Sequence, residues 1–320
     1  MVNLFFLKTF VDTAKTGSVR ESAVKNFVTQ PAVTQQIRIL EEKLGCKLFN
    51  HLNRKMTLTA GGKVFITYAE NILGQYEESK IRLREMGDEF IGTIRLATIY
   101  SIGLYELQPI IRQYLRRFPK MDIRLEYRSF EQIYEMIANH QTDFGFVSYP
   151  KERHGILSKV FYEEKLVVTQ SRRHPVLKKK KPSLRDLNNV KFVAFSSPTP
   201  TRIAVDSFLH HNSVRPLIVN EYDNVETLKS ALQLGIGCSI VPEITIAREL
   251  REGSLETIPM KSLTLKRPLG VLCLKQAINS KSLREFYESV LKNRQQGFRT
   301  KTSPASSLSI ENRPFPISST

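Results

Sequence analysis

No stretch of this 320-residue chain approaches the roughly 18 uninterrupted apolar residues that a membrane-spanning helix needs, so a helical membrane protein is excluded. The opening segment, MVNLFFLKTFVDTAKTG, lacks a basic leader and a small-residue cleavage site, and it reads at helical period rather than as a secretion signal. Cysteine is scarce. Cys46, Cys238 and Cys273 lie far apart and match no metal or redox spacing, which predicts buried small hydrophobes in a reducing compartment, the cytoplasm. Enzyme signatures are missing too: there is no GxSxG, P-loop or HExxH. The GIG at 235–237 lacks the third glycine and the following helix of a dinucleotide site. His140, His154, His174, His210 and His211 show no metal-ligand spacing. No catalytic residue, metal ligand or cofactor is therefore expected.

Acidic residues are also in deficit. Against 48 Lys and Arg stand 31 Asp and Glu, a net charge of +17. Such a balance favours polyanionic partners, through counter-ion release and steered association, although a basic soluble enzyme would share it. The length suggests two or three domains, and a 41% hydrophobic fraction is enough to bury real cores.

The charge is unevenly spread. Residues 1–60 carry nine Lys and Arg against four acids, and their pattern is helical. Leu4, Leu7, Val11 and Ala14 share a face, and Gly17 then breaks the chain. Ser18 followed by Glu21 predicts a capping box that opens a second helix. Thr29 caps a third, with Pro31 in its first turn, where a missing N–H costs nothing. That helix should bury Val33, Ile37, Leu40 and Leu44 and end at Gly45. Two short helices joined by a tight turn, the second with a polar outer face, make a helix-turn-helix. Its outer face carries Gln30, Thr34, Gln35 and Arg38, with no acid between Thr29 and Leu40. Gln pairs with an adenine edge, Thr meets a thymine methyl, and Arg reads guanine or clamps phosphate. An ordinary solvated face would mix charge signs there. After Gly45, KLFNHLNRKMTLT reads as a two-stranded wing, anchored by Leu48 and Phe49, with Asn53, Arg54 and Lys55 at its tip and Thr59 capping the next helix.

In residues 60–90 the apolar positions Phe65, Ala69, Ile72, Tyr76, Leu83, Met86 and Phe90, with Ser79 interrupting, recur at alternating four- and three-residue steps. That is a heptad seam, predicting a long helix that packs on a partner or on its own chain. From Ile91, short aliphatic strands (94–99, 122–127, 144–148, 165–170, 189–195, 216–222, 238–241, 268–274) alternate with helices, the signature of an α/β fold with parallel sheets. The segment 172–186 holds seven basic residues and one acid and reads as a solvated loop. The Ser- and Pro-rich tail, 296–320, is expected to be disordered.

TQPAVTQQIRILEEKLGCKLF followed by RKMTLTAGG resembles the N-terminal signature of LysR-type transcriptional regulators, and the resemblance extends to about residue 295. His51 stands where this family usually has Arg, Gly61 where it has Ala, and Asn26 where an aliphatic residue is common. The resemblance implies a winged helix-turn-helix (1–59), a linker and dimerisation helix (60–90) and a periplasmic-binding-protein-like effector domain of two α/β lobes (91–295). The lobes are expected at 91–165 with 267–295, and at 166–266, joined by two crossing strands. It further implies a homo-oligomer, dimer or tetramer, that binds double-stranded inverted-repeat operator DNA and responds to a small-molecule effector.

Ligands of open α/β sheets bind beyond the carboxyl ends of strands, where helix N-termini suit an anion. On that geometry the expected effector residues are Thr98, Ser101, Arg128, Ser129, Ser148, Thr199, Thr201 and Arg202; each hydroxyl could equally be a helix cap, and Arg202 could simply pair with Asp206. Two other readings stay open at the level of sequence. One is a solute-binding protein or ligand-binding enzyme whose helical N-terminus serves assembly only. The other is an architectural DNA binder without a ligand.

Overall fold

The computed structural model describes residues 3–52, 55–85, 90–179 and 182–292. Arg54, Met86, Lys180, Lys181 and the tail lie outside them. Three helices open the chain: α1 (Leu4–Thr16), α2 (Val19–Lys25) and α3 (Gln30–Leu44). Their ends are written into the sequence. Asn3, Ser18 and Thr29 are N-caps whose side-chain oxygens accept from Phe5 N, Glu21 N and Ala32 N at 2.9, 3.2 and 3.4 Å. Each removes one unpaired donor from a first turn. Gly17 and Gly45 close α1 and α3 at φ 67° and 66°, a conformation glycine adopts without penalty.

The wing follows as β1 (Phe49–Leu52) paired antiparallel with β2 (Lys55–Leu58). Leu7, Phe10, Val33, Ile37, Leu40, Leu48 and Phe49 form one core beneath it, and the Phe10 ring lies 5.4 Å from Phe49 and 5.3 Å from Phe65. Leu44, expected inside, is exposed. So is Cys46; only Cys238 and Cys273 are buried, and burial pushes both thiols up to about 12. Asn26 replaces an apolar contact by a polar one, donating to the buried Asp12 at 2.9 Å.

The long helix α4 (Ala60–Glu85) starts under Thr59, whose Oγ1 accepts from Gly62 N at 2.9 Å. Its expected seam divides. Phe65 and Ala69 turn inward and join the winged-helix core, and Phe90 stacks on Phe118 in the core of the next unit. The outward row is Val64, Tyr68, Ile72, Tyr76 and Leu83. Periodicity located the apolar positions, but it could not say that the first two turns would be consumed by the chain's own hydrophobic core. Glu70 on α4 bonds Lys15 of α1 at 2.9 Å and accepts from Gln141, so the helix touches both of its neighbours.

The rest of the chain builds β3 (Gly92–Thr98), α5 (Tyr100–Leu104), α6 (Leu107–Arg117), β4 (Met121–Tyr127), α7 (Phe130–Ala138), β5 (Phe144–Ser148) and β6 (Ile156–Ser171). Then come β7 (Lys191–Phe195), α8 (Pro200–His211), β8 (Leu217–Tyr222), α9 (Val225–Gln233), β9 (Cys238–Pro242), α10 (Ala247–Glu252), β10 (Leu255–Ile258), β11 (Lys266–Leu274) and α11 (Lys281–Lys292). The strand order is β4-β3-β5-β11-β6-β9-β7-β8, with β10 on β6. Within each lobe the βαβ units are parallel, but β11 and β6 run antiparallel to their neighbours, so the sheet is mixed rather than parallel throughout.

The first half of β6 pairs with β11, from Ile156 opposite Leu274 to Lys165 opposite Lys266, and its second half pairs with β9 and β10. Two strands thus cross between a first lobe (β3, β4, β5, β11 and their helices) and a second (β7 to β10). Helix α11 returns to the first lobe, where Phe286 and Val290 are fully buried with Ile94, Phe144 and Val271. The second lobe packs Leu166, Val168, Phe192 and Ile240 together. Among the described residues no helix is long and apolar enough to cross a membrane.

Candidate DNA-reading helix and effector cavity

On α3 the apolar stripe of Val33, Ile37 and Leu40 faces inward, positions 30, 34 and 38, one turn apart, run along the flank beside it, and Gln35 lies opposite. Thr29, Gln30, Pro31, Thr34, Gln35 and Arg38 are all exposed. The Thr34 hydroxyl donates back to Gln30 O at 3.1 Å, and Arg38 pairs with Glu42 at 2.8 Å while both remain largely in solvent. Such an exposed i,i+4 pair is weak, and phosphate or a base edge can displace it. Ser18 is half-buried and occupied as the cap of α2. Lys55 opens β2 beside the wing tip.

The wing is held to α3 by one carboxylate. Glu41 accepts from Leu48 N at 2.8 Å, Phe49 N at 3.3 Å and Lys47 Nζ at 2.7 Å. Burial pushes its carboxyl up, but the Lys47 ammonium and the two backbone N–H groups outweigh burial and hold it below the ordinary range.

A cavity of about 470 Å³ opens between the lobes, at the carboxyl ends of β3, β4, β5 and β7. Three helices of nine or more residues begin on its wall: α7 behind Ser129, α8 behind Thr199 and α9 behind Asn224. Their first-turn N–H groups and positive dipole ends converge there. Of the residues expected from sequence, Ser101, Arg128, Ser129, Ser148, Thr199 and Thr201 line it. Ser148 and Thr201, from opposite lobes, place their hydroxyls 3.4 Å apart.

Two of the expected residues lie elsewhere. Thr98 is fully buried, and its hydroxyl donates to Ile99 O at 3.1 Å, because the last residue of β3 points to the core side of the sheet. Arg202 faces away from the cavity, held by Asp206 at 2.6 Å, Glu221 at 2.8 Å and Phe195 O at 2.7 Å. Both leave the candidate set.

Sequence reading missed the aromatic wall and a buried cation on the cavity floor. Tyr100 and Tyr127 stack with centroids 4.5 Å apart, and Gly103 leaves the room: a Cβ there would lie 2.6 Å from the Tyr127 ring. Arg267 sits on the cavity floor, 3% exposed. It donates to Glu164 at 2.6 Å, to Ser101 Oγ at 2.9 Å and to Thr201 Oγ1 at 3.1 Å, so one guanidinium joins both lobes and a crossing strand. Its signal in the sequence was a cation at the entry to PLGVLCL, the strand expected to return to the first lobe. Among the described residues no cluster of three or more His, Cys, Asp or Glu is placed to hold a metal.

Residues 4–63 match the family described as bacterial regulatory helix-turn-helix protein, lysR family, and residues 87–295 match the LysR substrate binding domain. The chain is similar to the HTH-type transcriptional activator CmpR of Synechocystis sp., with 31% identity over 258 residues that span 81% of this chain and 84% of that protein. It is similar in fold to full-length CbnR complexed with its target DNA, with a TM-score of 0.71 at 23% identity, covering 91% of this chain and 99% of that one. The regulatory domain of Synechocystis PCC6803 CcmR in complex with 2-PG superposes with a TM-score of 0.58 at 24% identity, covering 64% and 99%. The named relatives are transcriptional regulators, not enzymes. The chain belongs to the LysR family of transcriptional regulators, with a helix-turn-helix unit and an effector-binding domain on one polypeptide.

Proposed function

We propose that this regulator binds an inverted-repeat operator as a homo-oligomer, with α3 in the major groove and the wing against flanking phosphates. Residues 1–59 read DNA, 60–90 carry the outward row of α4 onto a second copy, and 91–295 sense an effector. Gln30, Thr34, Gln35 and Arg38 meet base edges, while Ser18, Thr29, Pro31, Arg54 and Lys55 position the helix and wing on the backbone. The observation that carries this reading is the uncharged amide and guanidinium face of α3, exposed and free of acid from Thr29 to Leu40. CbnR, of the same fold, is known bound to its target DNA. The compartment is the cytoplasm.

The effector is a small anion, held between the lobes by Ser101, Arg128, Ser129, Ser148, Thr199 and Thr201. Convergent helix N-termini and the buried Arg267 support that class, and the CcmR regulatory domain has 2-PG as its ligand. Closure of the lobes on the anion changes the spacing of the DNA-reading helices in the oligomer.

A gel shift on the DNA upstream of the chain's own gene tests the DNA reading. Binding should survive excess unrelated duplex and fall on the order of 10³-fold between low and moderate salt if about six phosphates are neutralised. Equal competition by any duplex would refute it.

A further inference from the structure

Where β6 and β11 cross, three buried charged side chains meet, two acids and one base. Glu106 at the start of α6, Glu164 in β6 and Arg267 in β11 are 4%, 2% and 3% exposed. Arg267 bonds one oxygen of Glu164 and turns its remaining nitrogens to Ser101 and Thr201 on the cavity wall. Glu164 Oε1 and both oxygens of Glu106 meet no N–H donor among the described residues, and the two carboxyls face each other. One guanidinium cannot balance two buried carboxylates, so the cluster favours holding a proton. Burial, then the neighbouring Glu164 carboxyl, pushes Glu106 well above the ordinary carboxyl range, while Arg267 pulls it back down. The other titratable groups facing the cluster are Tyr149 and Tyr162, both raised first by burial and therefore neutral, and Glu243, which Lys165 pairs at 3.3 Å.

We propose that Arg267 is the anchoring cation for an anionic effector and that Glu106 is a titrating positioning residue behind it, so that an anion and a proton bind together. The proposal rests on the inter-lobe cavity being the effector site. The ligand class is a small carboxylate, sulfate or phosphate ester. An anion on Arg267 spends the positive charge that offsets both carboxylates, leaving Glu106 facing Glu164 and the ligand in a dry site. A proton from water on Glu106 removes one of these negative charges. Glu106 therefore titrates higher with the anion bound than without it. By linkage, anion affinity is greatest where Glu106 is already protonated and falls by up to about tenfold per pH unit above its free-state titration point.

Titration calorimetry on the full-length chain tests this with sulfate, whose own charge is fixed, and with 2-PG, between about pH 6 and about pH 9, a range that excludes ordinary carboxylates. Wild-type affinity should fall roughly tenfold or more across that range, with proton uptake visible as a heat that depends on the buffer. Glu106→Gln, which mimics the protonated acid, should bind sulfate at every pH as tightly as wild type does at the acid end, with no uptake. Arg267→Lys should weaken both anions at every pH. A flat wild-type profile, or a Glu106→Gln profile with the wild-type slope, overturns the proposal while leaving the cavity as the effector site. Failure of both anions to bind, or binding that survives Ser148→Trp, overturns the cavity reading and the proposal with it.

Discussion

The Tyr105 hydroxyl donates to Glu226 Oε1 at 2.6 Å, linking the end of α5 in the first lobe to α9 in the second. The Tyr105 hydroxyl oxygen in turn accepts from Lys229 Nζ at 2.9 Å, and Lys229 is itself buried against Glu249 at 3.1 Å. Burial, then Glu226, pushes the phenol up to about 12, so it remains a donor across the physiological range. This contact joins the two lobes through residues that do not line the cavity.

Tyr105→Phe should therefore loosen the lobes without touching the cavity wall. Removing a partner from the buried Lys229 costs about 1–2 kcal/mol. Denaturant titration should show that loss, and small-angle scattering should report a wider lobe separation. A variant identical to wild type in both would show that the contact is incidental.

Adjacent glycines at the start of α4 should behave oppositely. A Cβ on Gly62 would lie 2.1 Å from Leu48 O, whereas one on Gly61 would meet nothing closer than 3.5 Å. Gly62→Ala must push α4 off the wing, at about 1–3 kcal/mol or more. Gly61→Ala should be neutral or stabilise by up to about 1 kcal/mol through helix propensity. Thermal melts of the two variants check the contrast, and equal effects would contradict it.

Glu41 makes the winged unit sensitive to acid. Its folded-state carboxyl is held below the ordinary value, so its contribution is fully present above about 4.5 and is lost as pH falls through the folded-state value. Glu41→Gln should cost about 1–3 kcal/mol at neutral pH, since Lys47 and two backbone donors lose a charged acceptor. The gap between variant and wild type, followed by melting, should close as pH drops below about 4.5. A constant gap across that window would rule out ionisation as its source.

Local signals in the sequence carried the N-terminal unit well: Ser18, Thr29, Gly17 and Gly45 announce helix ends because caps act within four residues. Most strands were visible for the same reason, as short aliphatic runs. Two were not. The first half of β6, ILSKVFYEEK, mixes charges with apolar residues because some of its side chains are exposed while Glu164 is buried against Arg267, and β10 is only the four residues LETI. The cavity was legible through helix-start hydroxyls, which explains Ser129 and Thr199. Arg267 was hidden because its partners stand 66 to 166 residues away in sequence, and burial of a cation by remote groups leaves no local pattern. Thr98 illustrates the converse: a hydroxyl at a strand end satisfies the spacing and still faces the core.

Whether α3 reads bases is decided by what Gln30 contributes to operator preference. Affinities of wild type and Gln30→Ala should be measured for the upstream operator and for random duplex at one salt concentration. Loss of a bidentate amide should lower operator preference by roughly 10- to 100-fold, about 1–3 kcal/mol, while random-duplex affinity stays unchanged. If Gln30→Ala discriminates as well as wild type, or wild type shows no preference at all, α3 does not read bases.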